Sequence, residues 1–209
     1  MKILCVILAR SGSKRCPDKN IRPFAGTTLS DITLAQACRL FDYVAYSSDS
    51  DRYLELAMPY KKVLPVKRPA HLANDSASSE SAIMHATMHA EEKFGCEFNA
   101  VALLEVTSPL RKDISIETAV RVYKDSQSPP PCFVIKTVIR RPYLVKPYTV
   151  GYDSKFQLAG GFYMWNRYEI NSYHPLFTVQ VSEEEALNID TEFDFKLTEF
   201  AYELAKTKD

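Results

Sequence analysis

Apolar and polar positions alternate along this chain in a way that predicts its elements. Residues 2–8, KILCVIL, read as a strand buried on both faces. Residues 29–41 place Leu29, Ile32, Leu34, Ala35 and Leu40 on a helical period, and residues 43–47 read as a second strand. A short helix over SDSDRYLELAM follows, with Ser48 to Ser50 as candidate caps, and then a strand at 62–66. Residues 78–93 form the next helix, with Ile83, Ala86, Thr87 and Ala90 along one side. AVALLEV, residues 100–106, is the most apolar strand after the first, and Asp113 opens a helix over 114–124. Pro129 to Pro131 mark a loop before strand 132–138. Residues 140–157 show no clean period and read as an irregular arm. Strands at 160–166 and 176–181 precede a final helix, 191–206, whose inward side is expected to carry Phe193, Leu197, Phe200, Ala201 and Leu204.

Strands alternating with helices predict an α/β fold with a mainly parallel, doubly wound sheet and right-handed crossovers. The 209 residues suit a single domain, and no internal repeat stands out. In such sheets ligands bind beyond the carboxyl ends of the strands. Strand order therefore nominates residues 9–20, SSDSD after the second strand, EVTSPLR after the fourth, AGGFYMW near the late strands, and NIDTE before the final helix.

Lys+Arg and Asp+Glu balance at 26 each, so bulk charge points to neither nucleic acid nor membrane. Any anion site must arise from local clustering. Five scattered cysteines without a C-x-x-C pair suggest reduced thiols in a cytoplasm rather than a disulfide framework or a zinc site. His85 and His89 sit one helical turn apart, a spacing that can bind metal, but no third ligand is in view.

The stretch LARSGSKRCPDKN, residues 8–20, changes the picture. Arg10, Lys14, Arg15 and Lys19 crowd a Ser/Gly turn directly after the first strand. Small residues let backbone N–H groups converge on an anion, and four cations suit one carrying several charges, such as a triphosphate. Neither a G-x-x-x-x-G-K-[ST] loop nor a G-x-G-x-x-G turn is present. Nucleotidyl transfer remains: an acceptor hydroxyl attacks an α-phosphate and pyrophosphate leaves, helped by cations and a divalent metal.

Four blocks, in order, carry a family resemblance. ILARSGSKRCPDKNIRPFAG, RPAHLANDSASS (68–79), LLEVTSPLR (103–111) and NIDTEFDF (188–195) resemble the signatures of acylneuraminate cytidylyltransferases, which make CMP-activated nonulosonic acids. The resemblance implies a Rossmann-like nucleotide-sugar transferase fold, CTP and an acidic keto-sugar as substrates, Mg2+ as cofactor, and a homodimer. It implies that Arg10 and Lys19 hold the triphosphate, aided by amides of Ser11, Gly12 and Ser13, and that Asn20 positions the nucleotide. Arg68 and Ser79 would contact cytidine, Thr107 and Ser108 would line the floor between nucleotide and sugar, and Asp190 would bind magnesium. Simpler roles stay open: an acid partner for Arg68, a helix cap for Ser79 or Asp190, an ordinary turn for Asp75, Thr107 and Ser108.

The departures from the family pattern are specific. Asn188 stands where the family has the first carboxylate of Asp-x-Asp, and an amide oxygen binds magnesium more weakly. Glu105 replaces the family's glutamine and is expected to restore part of that charge beside the metal and sugar. Ala159-Gly160 resembles the branch that activates pseudaminic-type sugars. The arm is short, with Arg140, Arg141 and Lys146 as candidate partners of the sugar carboxylate across a dimer. Alternatives are a degenerate nucleotide-binding domain, or a same-fold transferase acting on 3-deoxy-octulosonate or a phosphonate.

Overall fold

The computed structural model describes residues 1–126, 132–138, 143–144, 150–151, 156–170 and 177–207. In chain order the first half runs β1 (Ile3–Leu8), a small pair β2 (Pro23–Phe24) and β3 (Thr27–Thr28), α1 (Leu29–Leu40), β4 (Tyr43–Ser48), α2 (Asp51–Glu55), β5 (Val63–Lys67), a 3₁₀ turn at Ala70–Leu72 and α3 (Ser79–Phe94). The second half runs β6 (Ala100–Glu105), α4 (Asp113–Asp125), β7 (Cys132–Val138), β8 (Tyr143–Leu144), β9 (Val150–Gly151), β10 (Phe156–Asn166), β11 (Phe177–Val181) and α5 (Glu192–Lys206).

Seven strands form one sheet in the order β11-β7-β10-β6-β1-β4-β5. β1 pairs in parallel with both β4 and β6, β4 with β5, and β11 with β7. β10 runs antiparallel to β6 and β7 and is the sheet's single reversed strand among the described residues. The expected mainly parallel α/β fold is therefore observed. β10 begins earlier than the apolar run suggests, because Phe156 and Gln157 pair with Val138 and Thr137 of β7. Within the predicted arm, β8 and β9 pair with each other.

Alternation along the strands divides the core into two layers. Leu4 and Val6 face α3, where they meet Ile83, Ala86 and Ala90 together with Leu103 and Trp165. Cys5 and Ile7 face the other layer, with Leu34 and Ala37 of α1, Ile116 and Ala119 of α4, and Phe162. Burying a whole β1 on both sides accounts for its unbroken apolar run.

The helix ends correct two expectations. The side chain of Ser78, not Ser79, caps α3 by accepting from Ser81 N–H, and the helix stops at left-handed Gly95. Thr191, not Asp190, caps α5, in a reciprocal capping box with Asp194. Ser79 and Asp190 are thus free of the capping duty that offered the simpler reading of each.

The face of α5 also differs from expectation. Phe195 and Thr198 are buried, while Phe193, Leu197, Phe200 and Leu204 are exposed. Phe195 and Tyr202 pack on Phe24, with ring centroids 5.3 and 5.5 Å away, and the Arg22 guanidinium lies 3.7 Å above the Phe195 ring. An apolar period reveals a stripe but not which stripe meets the core; here Phe24, delivered by the β2–β3 turn, selects the aromatic one. Phe195→Ala is expected to lower unfolding free energy by about 3–5 kcal/mol, as measured by urea denaturation. A loss of about 0.5 kcal/mol or less would mean that Phe195 lies on the outer face.

Candidate active site

The loop after β1 is folded back on the sheet edge. Ala9 N–H donates to Ser47 O at 3.0 Å, and Gly12 turns the chain at φ +73°. Asp49, just beyond β4, accepts Ser11 N–H at 2.8 Å and Ser11 Oγ–H at 2.5 Å. In the ligand-free protein the Ser11 amide is thus bonded to Asp49. Asn20 is buried; its Nδ2 donates to Arg10 O at 3.2 Å, and its Oδ1 has no protein partner.

These contacts open a cavity of about 390 Å3 at the carboxyl edge, with Arg10, Lys19, Asn20, Arg68 and Ser79 on its wall beside Glu105, Thr107, Asn188 and Asp190. An adjoining cavity of about 370 Å3 is lined by Ser13, Lys14 and Arg15 and shares Arg10, Lys19, Asp75 and Asp190. Four sequence-distant blocks thus meet at one place. Ser108 does not line the cavity. It is buried beneath it, with its Oγ unpartnered, because the turn sends Thr107 outward and Ser108 inward.

Cations and carboxylates pair across the loop. Arg10 Nη1 lies 2.8 Å and Lys14 Nζ 2.7 Å from the two oxygens of Asp75, and these neighbours hold its carboxyl below the usual range. Arg15 reaches Asp190 at 3.1 Å. Lys19 Nζ donates to Ile189 O at 2.5 Å and lies 3.7 Å from Asp190 Oδ1. Burial lowers the Lys19 pKa, with Asp190 opposing the shift. Asp75 is thus no simple turn residue: it occupies two of the four loop cations.

Among the described residues, no acid is in direct contact with Arg68. It donates from Nη2 to Ser47 O at 2.7 Å and from Nε to Ser47 Oγ at 3.1 Å. Burial lowers its pKa, while nearby Asp49 opposes that. The guanidinium is fixed at the cavity wall by neutral oxygens and keeps its charge for a ligand.

The opposite wall is held by a buried arginine that sequence reasoning passed over. Arg111 donates from Nη1 to the Glu105 carbonyl and from Nε to Gln36 Oε1 at 3.2 Å. Its burial pushes the guanidinium pKa down to about 10, against the pull of Glu105. Glu105 Oε2 accepts Gly161 N–H at 2.9 Å. Gly161 has φ +89°, and an added Cβ there would stand 3.1 Å from Arg111 Cδ and 3.2 Å from Ser108 Cβ. Gly161, next to the expected Gly160, is therefore a glycine tied to the site. Thr107 O accepts Ile189 N–H at 2.9 Å and so joins the β6 turn to the Asn188–Asp190 segment.

Among the described residues no three His, Cys, Asp or Glu side chains gather as a metal cluster. The rings of His85 and His89 lie 4.4 Å apart, tilted by 36°, with no third ligand among the described residues. Glu105 and Asp190 with the Asn188 amide form an all-oxygen set on one cavity, a chemistry that suits a hard divalent ion. Arg140, Arg141 and Lys146 lie outside the described residues.

Residues 4–207 match the cytidylyltransferase family. The chain belongs to that family. It is a nucleotidyltransferase, and no helix among the described residues is long and apolar enough to cross a membrane. It is 31% identical to CMP-N,N'-diacetyllegionaminic acid synthase of Legionella pneumophila, covering 98% of this chain and 97% of that protein. It is 27% identical to post-translational flagellin modification protein B of Campylobacter coli, covering 95% and 94%. Among solved structures, a CMP:2-keto-3-deoxy-manno-octonic acid synthetase complexed with CTP superposes with a TM-score of 0.69 at 16% identity, covering 99% of this chain and 100% of that one. That likeness supports the fold.

Asp75 is in competition with any polyanion that takes Arg10 and Lys14. Exposed pairs of this kind are weak, so Asp75→Asn is expected to tighten inorganic tripolyphosphate binding only about two- to fivefold, read by calorimetry. Weaker binding would show instead that Asp75 orients the two cations.

Proposed function

We propose that this cytidylyltransferase moves the cytidylyl group of CTP to the anomeric hydroxyl of an acidic keto-sugar of the nonulosonic class, as a homodimer in the cytoplasm. The observation that carries this reading is the carboxyl-edge cavity on whose wall Arg10, Lys19 and Arg68 stand together with Glu105 and Asp190. In the reaction the sugar hydroxyl gives up its proton to water, its oxygen bonds to the α-phosphorus, the bond from that phosphorus to the α–β bridging oxygen breaks, and pyrophosphate leaves. Arg10 and Lys19 neutralise the phosphates, and the buried Arg68 with Ser79 contacts the cytidine part. Thr107 lines the floor on which the nucleotide and sugar meet.

The same cations explain how a metal site is kept ready. Arg15 and Lys19 pair with Asp190 in the ligand-free protein. Phosphate oxygens compete for these cations and thereby free the Asp190 carboxylate. Asp190 with Asn188 and Glu105 would hold magnesium, which when bound offsets charge on the phosphates and the leaving pyrophosphate. Glu105 already gives one oxygen to Gly161 N–H, and Asn188 is neutral, so Asp190 is the main anchor.

Names of relatives support the acceptor class: beyond the legionaminic acid synthase, a pseudaminic acid cytidylyltransferase of Campylobacter jejuni is 34% identical over 61% of this chain and 56% of its own length. Asn188 favours one competing reading, a nucleotide-binding domain without turnover. Pyrophosphate release from each nucleoside triphosphate, with a panel of nonulosonic acids and 3-deoxy-octulosonate, separates the readings. Release with CTP and a nonulosonic acid is expected; none with any pair supports the degenerate domain.

Lys19→Ala is expected to cut kcat/KM by about a hundredfold or more, because a cation at the phosphates is lost. Near-normal turnover would remove the loop from the triphosphate site. Asp190→Asn should cost about three powers of ten in kcat. Glu105→Gln should raise the magnesium concentration needed for half-maximal rate, and an unchanged titration would leave Asp190 without a helper.

A further inference from the structure

The loop between Arg10 and Lys19 is fastened at two points, both to the segment that follows β4. Asp49 takes Ser11 through two bonds, from the backbone N–H at 2.8 Å and from the hydroxyl at 2.5 Å. Four residues on, in α2, Tyr53 donates its hydroxyl to Asp18 Oδ1 at 3.0 Å. Each fastened residue is the immediate neighbour of a cation on the cavity wall: Ser11 follows Arg10, and Asp18 precedes Lys19. Asn20 joins the two ends of the loop to each other by donating to Arg10 O.

The second fastening acts on a strained turn. Asp18 sits at φ +51°, a left-handed conformation that costs energy for any residue with a Cβ. Its carbonyl accepts Ile21 N–H at 2.9 Å and Arg22 N–H at 3.0 Å, so the turn that delivers Lys19 to the cavity is built on this residue. Tyr53 is buried, and burial pushes its hydroxyl pKa up, so it stays a donor. Burial works to raise the Asp49 carboxyl as well, but the bonds from Ser11 outweigh it and hold the carboxyl below its ordinary value. A charged acceptor at one point and a water-excluded donor at the other make these bonds costly to break.

We propose that Asp49 and Tyr53 are positioning residues for the triphosphate: together they clasp the loop so that Arg10 and Lys19 hold their places before the nucleotide arrives. The inference rests on the reading of that loop as the triphosphate site. It runs against simple electrostatics. Asp49 puts negative charge near a polyanion site, so charge alone predicts that neutralising it tightens binding. The clasp predicts that the bonds decide the outcome. Asparagine at position 49 can keep both, its Oδ1 accepting the Ser11 amide and its Nδ2 donating to the Ser11 hydroxyl oxygen. Alanine keeps neither.

Calorimetric titration with inorganic tripolyphosphate, with circular dichroism as the folding control, tests the clasp. The parent is expected to bind. Asp49→Ala should weaken binding about tenfold or more, and Asp49→Asn should match the parent or bind more tightly. Tyr53→Phe deletes one hydroxyl without changing charge. It should weaken tripolyphosphate about three- to tenfold and leave cytidine binding, followed by NMR titration, at the parental level. Where Asp49→Ala fails to fold, Tyr53→Phe carries the test. A parent that does not bind tripolyphosphate overturns the triphosphate reading and the clasp with it. A parent that binds, with Asp49→Ala as tight as Asp49→Asn or Tyr53→Phe as tight as the parent, overturns the clasp and leaves that reading standing. Equal loss of cytidine and tripolyphosphate in Tyr53→Phe also overturns it, because the hydroxyl then supports the fold and not the phosphate loop.

Discussion

A strand with apolar side chains on both faces can offer polar groups to a ligand only at its ends, and β1 is such a strand. It is flanked in parallel by β4 and β6, so the loops after all three strands open at one edge. Residues 9–20, Asp49 and the Glu105–Ser108 turn are brought together by this constraint rather than by any affinity for one another. Hydrogen bonds then fix the meeting: Ser11 to Asp49, Ala9 to Ser47 and Ile189 to Thr107. Arg111 acts from below, holding the end of β6 while Gly161 lets the antiparallel β10 approach without a Cβ in the way.

Charge in the site is balanced before any ligand arrives. Asp75 and Asp190 each answer two cations of the loop, whereas Arg68 is held by neutral oxygens of Ser47. The pairs at the rim are exposed and exchange partners at little cost, because water already solvates much of each group. The buried cations differ. Desolvating Lys19 and Arg68 disfavours their charged forms, so a polyanion that replaces lost hydration gains most there. Electrostatic preorganisation of this kind suits phosphoryl chemistry, in which the protein mainly positions groups and neutralises charge.

Helix α5 links the site to the outer surface. Its first turn is held by the Thr191–Asp194 capping box immediately after Asp190. Glu192 accepts both terminal nitrogens of Arg22, at 2.8 and 2.7 Å. The helix is thereby anchored at its cavity end and by the Phe24 cluster along its core face.

The alternation of strands and helices, the depth of each block and the polar segments at the carboxyl edge were legible in the sequence, because burial imposes period two or period 3.6 on any chain that folds this way. Arg10 and Lys19 stood out through the cation cluster after the first strand, whereas Arg68 and Asp190 were nominated through the family resemblance. What the tertiary structure alone decided are choices between equivalent local patterns. Serine at 78 or 79 and threonine or aspartate at 190–191 all favour a cap; the path of the chain into the helix picked one. Two apolar stripes on α5 satisfy one period, and contact with Phe24 picked Phe195. Asp49, Asp75 and Arg111 have ordinary local sequence, and their roles arise from partners 38, 65 and 75 residues away, separations that no local pattern encodes.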